Sequence, residues 1–184
     1  MMVKILNLIK RVMFGVDTRP MIEILKENGL KIGKDCNIMG ECIIDPGHCW
    51  LIEIGNKVTL APRVHILSHD ASTKRELGYT YIAPVTVGDN VFVGAGSVIL
   101  PNVSIGSNVI IGAHSVVTNN IPNNSVAVGN PARVIKSYEE YMQEKKDLLK
   151  KSVIYDESYT INYITKEKME QMKIDLKSAS GFII

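Results

Sequence analysis

From Val87 onward a β-branched aliphatic residue returns every six positions: Val87, Val93, Ile99, Ile105, Ile111 and Val117. Glycine usually follows it, at Gly88, Gly94, Gly106 and Gly112, and a small or medium residue stands four further on, at Val91, Ser97, Val103, Val109, Ser115 and Ile121. The same frame appears upstream at Ile54, Leu60 and Ile66, and earlier still at Ile32, Ile38 and Ile44, with Gly55 and Gly33 after the first of each set. An α-helix cannot keep one face at this spacing, because two of its turns take about seven residues. A strand alternates every two residues and fits a six-residue period only if the chain keeps bending. Short strands joined by tight corners satisfy both conditions. Three such units predict one triangular coil, which sets Val87 over Ile105 and Val93 over Ile111 in a solenoid of parallel strands. Glycine is expected at the corners for its tolerance of positive φ. Cys36 and Cys42 fall on small inward positions, where they read as core residues rather than metal ligands.

The frame breaks twice. Four extra residues lie between Ile44 and Ile54, within 45–50, and 21 positions separate Ile66 from Val87. The polar stretch of about 70–84 is therefore expected to leave the column as a loop, and interruptions of a regular scaffold are where function concentrates. Outside the repeats, Pro20 and Gly29 predict the start and stop of a helix. Ser137 and Glu140 form a capping-box pattern ahead of a helix bearing Tyr138, Tyr141, Met142, Lys145, Leu148 and Leu149 along one side. Residues 156–162 read as a linker or edge strand, and Thr165 as the cap of a short helix carrying Met169, Met172 and Leu176. The domain plan is thus a helical cap over 1–30, a repeat domain over 31–136 and a helical extension over 137–184.

Composition narrows the possibilities. The chain of 184 residues has 46% hydrophobic and 22% charged residues and a net charge of +2, which gives no basis for a nucleic-acid surface. Three cysteines without a CxxC pair speak against a disulfide framework and for a reducing compartment, with the cytoplasm as the expected location. The stretch 2–14 is interrupted by Lys4, Lys10 and Arg11, so neither a signal peptide nor a membrane span is expected. Its residues Ile5, Leu8, Ile9 and Val12 fit an amphipathic helix packed on the domain, with peripheral membrane contact as the less favoured alternative.

The stretches Val-Gly-Asp-Asn-Val-Phe-Val-Gly-Ala-Gly-Ser (87–97), Ile-Gly-Ala-His-Ser-Val-Val-Thr (111–118) and Gly-Asn-Pro-Ala-Arg-Val-Ile-Lys (129–136) resemble the hexapeptide-repeat acetyltransferases. Within that family they are most similar to the maltose/galactoside O-acetyltransferases and the O-acetyltransferases of polysaccharide gene clusters. The resemblance covers roughly 30–136. It implies a left-handed parallel β-helix with short terminal helices, a homotrimer with active sites between neighbouring columns, and acetyl-CoA as co-substrate with no metal.

Transfer to a hydroxyl needs a base near neutral pH, for which histidine is suited. The chain has His48, His65, His69 and His114. His69 stands where the column gives way to the loop, and Ile-Leu-Ser-His-Asp (66–70) matches the family's catalytic-histidine segment, which makes His69 the expected catalytic residue. Asp70 could orient its ring or contact the acceptor, although a solvated loop aspartate is the plainer alternative. Asp45, His48 and Trp50, in the other break, are candidate acceptor contacts: an indole covers an apolar sugar face and a carboxylate accepts hydroxyl hydrogen bonds. The competing role for Trp50 is to anchor a bulge. His65 reads as outward, structural or intersubunit.

The resemblance carries pantetheine contacts onto Ala95 and Ala113, where a backbone N–H could also stabilise a developing oxyanion. It carries nucleotide-phosphate contacts onto Thr118, Asn119, Arg133 and Lys136. Two positions depart from the family: Asn119 stands where many members have lysine, and His114 replaces the glycine of Gly-Ala-Gly-Ser. The expected activity is direct acetyl transfer to a hydroxyl of a sugar or polysaccharide precursor. The alternatives are acetylation of a streptogramin-type xenobiotic or of an amino-sugar nitrogen. A zinc γ-carbonic-anhydrase-like protein lacks its expected histidine spacing here, and a non-catalytic scaffold would have no use for the cofactor-type segment.

Overall fold

The computed structural model describes residues 20–184; the helix expected over 2–14 lies outside the described residues. Contacts divide the chain into two units that part between Ser137 and Tyr138.

Among the described residues the first element of the first unit is helix α1 (Met21–Glu27). Pro20 precedes its first residue with φ −52°, and Gly29 beyond it adopts φ +101°. There the amides of Gly29 and Leu30 reach back to Lys26 and Leu25 at 3.1 and 2.9 Å, closing the helix end. Fourteen of the strands that follow are short, most of them two or three residues, and fall into three sheets that the chain visits in rotation. β1 (Lys31–Ile32), β4 (Ile52–Ile54), β9 (Val85–Val87) and β12 (Ser104–Ile105) form one wall. β2 (Asn37–Ile38), β5 (Thr59–Leu60), β10 (Val91–Val93), β13 (Val109–Ile111), β15 (Ser125–Val128) and β16 (Arg133–Ser137) form the second. β3 (Ile43–Ile44), β6 (His65–Ile66), β11 (Val98–Ile99) and β14 (Val116–Val117) form the third.

All pairings in these walls are parallel except β15 with β16. The register stacks Ile32 on Ile54, Val87 and Ile105, and Ile44 on Ile66, Ile99 and Val117. Val93 pairs with Ile111, and Val87 with Ile105, in the stacking that the six-residue period predicts. These aliphatics and the small inward residues form one continuous buried core, with Cys36 and Cys42 packed against it. The buried serines are satisfied in place: Ser97 Oγ donates to Gly112 O at 2.9 Å and accepts from Ser115 N at 3.2 Å.

Two local expectations are corrected. Gly88 and Gly94 are not at positive φ; the left-handed residues are three past each aliphatic, at Asn90, Gly96, Asn102, Asn108 and His114. Asparagine tolerates that region because its short polar side chain bonds locally, and here Asn90 Nδ2 donates to Asn108 and Asn108 Nδ2 to Asn124 at 2.8 and 2.9 Å. The glycines serve close approach instead. A Cβ on Gly88 would come within 2.8 Å of the Gly106 carbonyl carbon, and one on Gly94 within 2.4 Å of Ala113 N. The second correction concerns Ile121, which bridges to Ile105 and so occupies the main aliphatic column of the first wall rather than a small inward position.

Both breaks are visible as insertions that leave the register intact. The first holds a 3-10 turn, Cys49–Leu51. The second is more ordered than the expected loop: β7 (His69–Asp70) pairs antiparallel with β8 (Tyr81–Ile82), with α2 (Lys74–Leu77) between them. Ala83 N then donates to Ser68 O at 3.0 Å, which returns the chain to the wall where it left.

The second unit contains α3 (Tyr138–Leu149), starting directly after Ser137, and β17 (Val153–Tyr155) paired parallel with β18 (Gly181–Ile183). Between these strands lie a 3-10 turn, Glu157–Tyr159, and α4 (Lys166–Asp175), whose N-cap Thr165 accepts from Lys168 N at 3.3 Å. Among the described residues no helix is long and apolar enough to cross a membrane.

Candidate active site

His69 sits at the start of β7, three residues past Ile66, so the wall's last hydrogen bonds hold its backbone while its half-exposed side chain clears the column. Its Nδ1 lies 2.5 Å from Asp45 Oδ2. Asp45 follows β3, directly past Ile44, and its amide is fixed by Ile66 O at 2.9 Å. The insertion after Asp45 folds back so that Gly47 N donates to Oδ1 at 2.9 Å. Ser68 supplies two further donors to Oδ2, its amide at 3.1 Å and its hydroxyl at 2.8 Å.

The carboxylate is fully buried. Burial acts on its pKa most strongly and pushes it upward, but the donors from His69, Ser68 and Gly47 together outweigh it and hold Asp45 below the ordinary carboxylate range. An ionised Asp45 accepts only, so the nitrogen facing it carries the proton. Nδ1 is thereby a donor, and a neutral His69 presents a bare lone pair on Nε2. This geometry can orient an imidazole for proton transfer, the relation by which a carboxylate fixes the tautomer of the ring.

Asp45 therefore does not offer the acceptor a free carboxylate; it lies beneath His69. Asp70 occupies the orienting position in sequence but not in space. It is exposed, its Oδ1 accepts from Ser72 N at 2.8 Å, and that bond is the first cause of its lowered pKa. In the β7/β8 pair Asp70 faces Tyr81, whereas His69 faces Ile82.

His48 lies beside His69, with Trp50 on its other side. The His48 ring lies 5.4 Å from the His69 ring and 5.4 Å from the Trp50 indole. His48 Nδ1 is buried without a hydrogen-bond partner, while its carbonyl lies 3.1 Å from Ser68 Oγ and can only share the proton that Ser68 directs to Asp45. Trp50 is 54% exposed, so it does not anchor the bulge. Cys49 does: it is fully buried, and its thiol lies 3.6 and 3.5 Å from the carbonyls of Leu25 and Asn28 at the end of α1. Trp50 is left as an open aromatic face beside the His48 imidazole.

The cofactor candidates lie elsewhere on the column. Ala95 and Ala113 stand one coil apart at the corner between the second and third walls, with Ala95 O accepting from His114 N at 2.9 Å. Neither alanine donates its N–H to a backbone carbonyl among the described residues. His114 does crowd this corner, since its ring lies against Gly96. Thr118 and Asn119 leave the other edge of the third wall, where Asn119 Nδ2 donates to Thr118 Oγ1 at 2.9 Å. Arg133 and Lys136 lie on β16, and Arg133 Nη1 donates to Ala132 O at 2.9 Å. Within one chain the third wall separates the His69 edge from the Ala95/Ala113 corner. His65, on β6, pairs with Ile43 and Val98 and is half-buried.

The sequence reading does not pair Asp45 with His69, although the signal for the pair is present. Ile44 stacks on Ile66, so one coil here takes 22 residues, and stacking the two breaks at that step brings Asp45 beside Ser68.

Comparison with known proteins agrees with this architecture. Residues 84–119 match the family described as bacterial transferase hexapeptide (six repeats). Protein CapG of Staphylococcus aureus is 39% identical over 122 residues, which cover 64% of this chain and 71% of that protein. Galactoside O-acetyltransferase of Escherichia coli K12 is 41% identical over 97 residues, covering 50% of this chain and 46%, about half, of that protein. A galactoside acetyltransferase solved in complex with coenzyme A is 32% identical and superposes with a TM-score of 0.51, over 66% of this chain and 72% of that one. The repeat, the stacked register and these relatives agree that the chain belongs to the hexapeptide-repeat acetyltransferases, a family of acyltransferases.

Proposed function

We propose that the chain is an O-acetyltransferase that moves an acetyl group from acetyl-CoA directly to a hydroxyl of a sugar or polysaccharide precursor, with His69 as general base. The hydrogen bond from His69 Nδ1 to the buried Asp45 carboxylate carries this reading, because it leaves Nε2 as the proton acceptor. As the acceptor oxygen attacks the thioester carbonyl, its proton passes to Nε2. Asp45 steadies the imidazolium that forms. Collapse of the tetrahedral intermediate expels the coenzyme A thiolate, which takes the proton back from His69. The free N–H groups at Ala95 and Ala113 suit the amide-rich pantetheine arm, and Arg133 and Lys136 suit the nucleotide phosphates.

The hexapeptide-repeat relatives favour a left-handed column, and the separation of His69 from the alanine corner supports its assembly as a homotrimer. In that assembly the base of one copy meets the cofactor groove of the next. Trp50 and His48 form an aromatic flank for a sugar ring beside the base. The relatives solved with coenzyme A and named for galactoside acetylation favour the donor and the acceptor class.

Thiol release from acetyl-CoA, measured across a panel of sugars with wild type and His69→Ala, tests the assignment. The expected result is turnover on at least one saccharide hydroxyl and a loss of about 10²–10⁴-fold in the variant, the range for removal of a positioned base. Full activity in His69→Ala removes the base. An acetylated Cys36, Cys42 or Cys49 on the reaction path removes direct transfer.

A further inference from the structure

Asp45, His48 and His69 each place one donor atom within 4.8 Å of the other two, and among the described residues this is the one such group of three. Two of the three donors are imidazoles, the borderline-soft ligands that zinc and its neighbours select. The carboxylate is fully buried and already fixed in place by Ser68 and Gly47. His48 Nδ1 has no protein partner to give up. We infer that Asp45, His48 and His69 form an inhibitory site for a zinc-class divalent transition-metal ion.

The fit follows from what joins His69 to Asp45. A proton now bridges Nδ1 and Oδ2 at 2.5 Å. An ion at the same place, about 2.0–2.1 Å from each atom with a tetrahedral angle, needs them about 3.3 Å apart. His69 is half-exposed and can swing outward by that difference, while Asp45 stays held by Ser68 and Gly47. His48 supplies the third ligand and water the fourth.

The proton balance gives the inhibition. Metal takes the Nδ1 lone pair, so a neutral His69 moves its proton to Nε2 with no net release; an imidazolium releases one proton to solvent. In both cases Nε2 ends as N–H and can no longer accept from an acceptor hydroxyl. The ion switches off the base through its tautomer, without filling the cofactor groove, so inhibition is expected to be non-competitive with acetyl-CoA. The inhibitory effect rests on the assignment of His69 as base, but the binding site does not.

Untagged wild type, His48→Phe and His69→Asn are dialysed against Co²⁺ as a spectroscopic stand-in for Zn²⁺, and bound metal and visible absorption are measured. Wild type is expected to take up one ion per chain with a ligand-field spectrum. His48→Phe, which keeps a ring against Trp50, should bind about tenfold more weakly or worse, the scale seen even for supporting groups at metal sites, and His69→Asn should not bind. Absence of saturable uptake by wild type, or equal uptake by all three proteins, overturns the site. Thiol-release assays of wild type complete the test: Zn²⁺ should suppress turnover and a chelator should restore it. Loss of turnover in chelator alone would make the ion a cofactor and overturn the inhibitory assignment. If the base assignment fails instead, His69→Asn retains turnover in chelator while wild type still binds metal.

Discussion

Asp45 and His69 belong to the two separate interruptions of the six-residue rhythm, and the structure joins them at 2.5 Å. The stacking of Ile44 on Ile66 makes this possible, because it sets the ends of β3 and β6 side by side where each insertion begins. The first insertion contributes the carboxylate and the second the imidazole. Neither break holds the pair alone.

Asp45→Asn tests that junction. An amide cannot accept on both sides, so it sets its NH₂ against either Gly47 N or the donors from Ser68 and His69. The expected cost is about 1–3 kcal/mol, the scale of a buried unsatisfied polar group, with a fall in turnover because Nδ1–H is no longer held. The sign of the pH effect follows from the lowered pKa of Asp45 in the fold. Its contribution is complete above the unfolded value of about 3.9 and is lost as pH falls through the folded value. Denaturant melts as a function of pH should therefore show wild type above Asp45→Asn at neutrality, with the gap closing in acid.

Gly94 and His114 should respond in opposite directions. Gly94→Ala places a methyl within 2.4 Å of the Ala113 amide, so two coils must part; we expect a loss of about 2 kcal/mol or more, as for other overpacked sites. His114 is at φ +54°, where a side chain is strained, and His114→Gly should raise stability by about 1 kcal/mol. Thermal melts of the two variants check both signs.

Arg133→Ala and Lys136→Ala should raise the KM for acetyl-CoA several-fold and leave kcat nearly unchanged. Phosphate contacts far from the reacting atoms are made equally in the ground and transition states. Raising ionic strength should weaken donor binding by wild type more than by the variants. A fall in kcat without a change in KM would assign these residues to another role.

The repeat was legible because every turn of the column reuses one buried residue type at one spacing, so Val87, Val93 and Ile99 announce the walls by themselves. The reason for the glycines was not. Positive φ and close approach leave the same residue type in the sequence, and only stacking shows that Gly94 serves the second while Asn90 and His114 take the first. The position of His69 at a break is legible in the sequence. Its partner is not: sequence adjacency offers only Asp70, for which a solvated loop position is the plainer reading, and sets Asp45 among acceptor contacts, because sequence neighbours are visible and stacked neighbours are not. In β7, Asp70 pairs with Tyr81 and bonds Ser72, and the carboxylate bonded to His69 comes from one coil away.

Nitrogen NMR of ¹⁵N-histidine-labelled protein reads the tautomer of His69 directly, with His69→Asn assigning its signals. The account predicts a proton on Nδ1 and an unprotonated Nε2 at neutral pH, and loss of that pattern in Asp45→Asn. A ring protonated on Nε2, or one indifferent to Asp45→Asn, would contradict it.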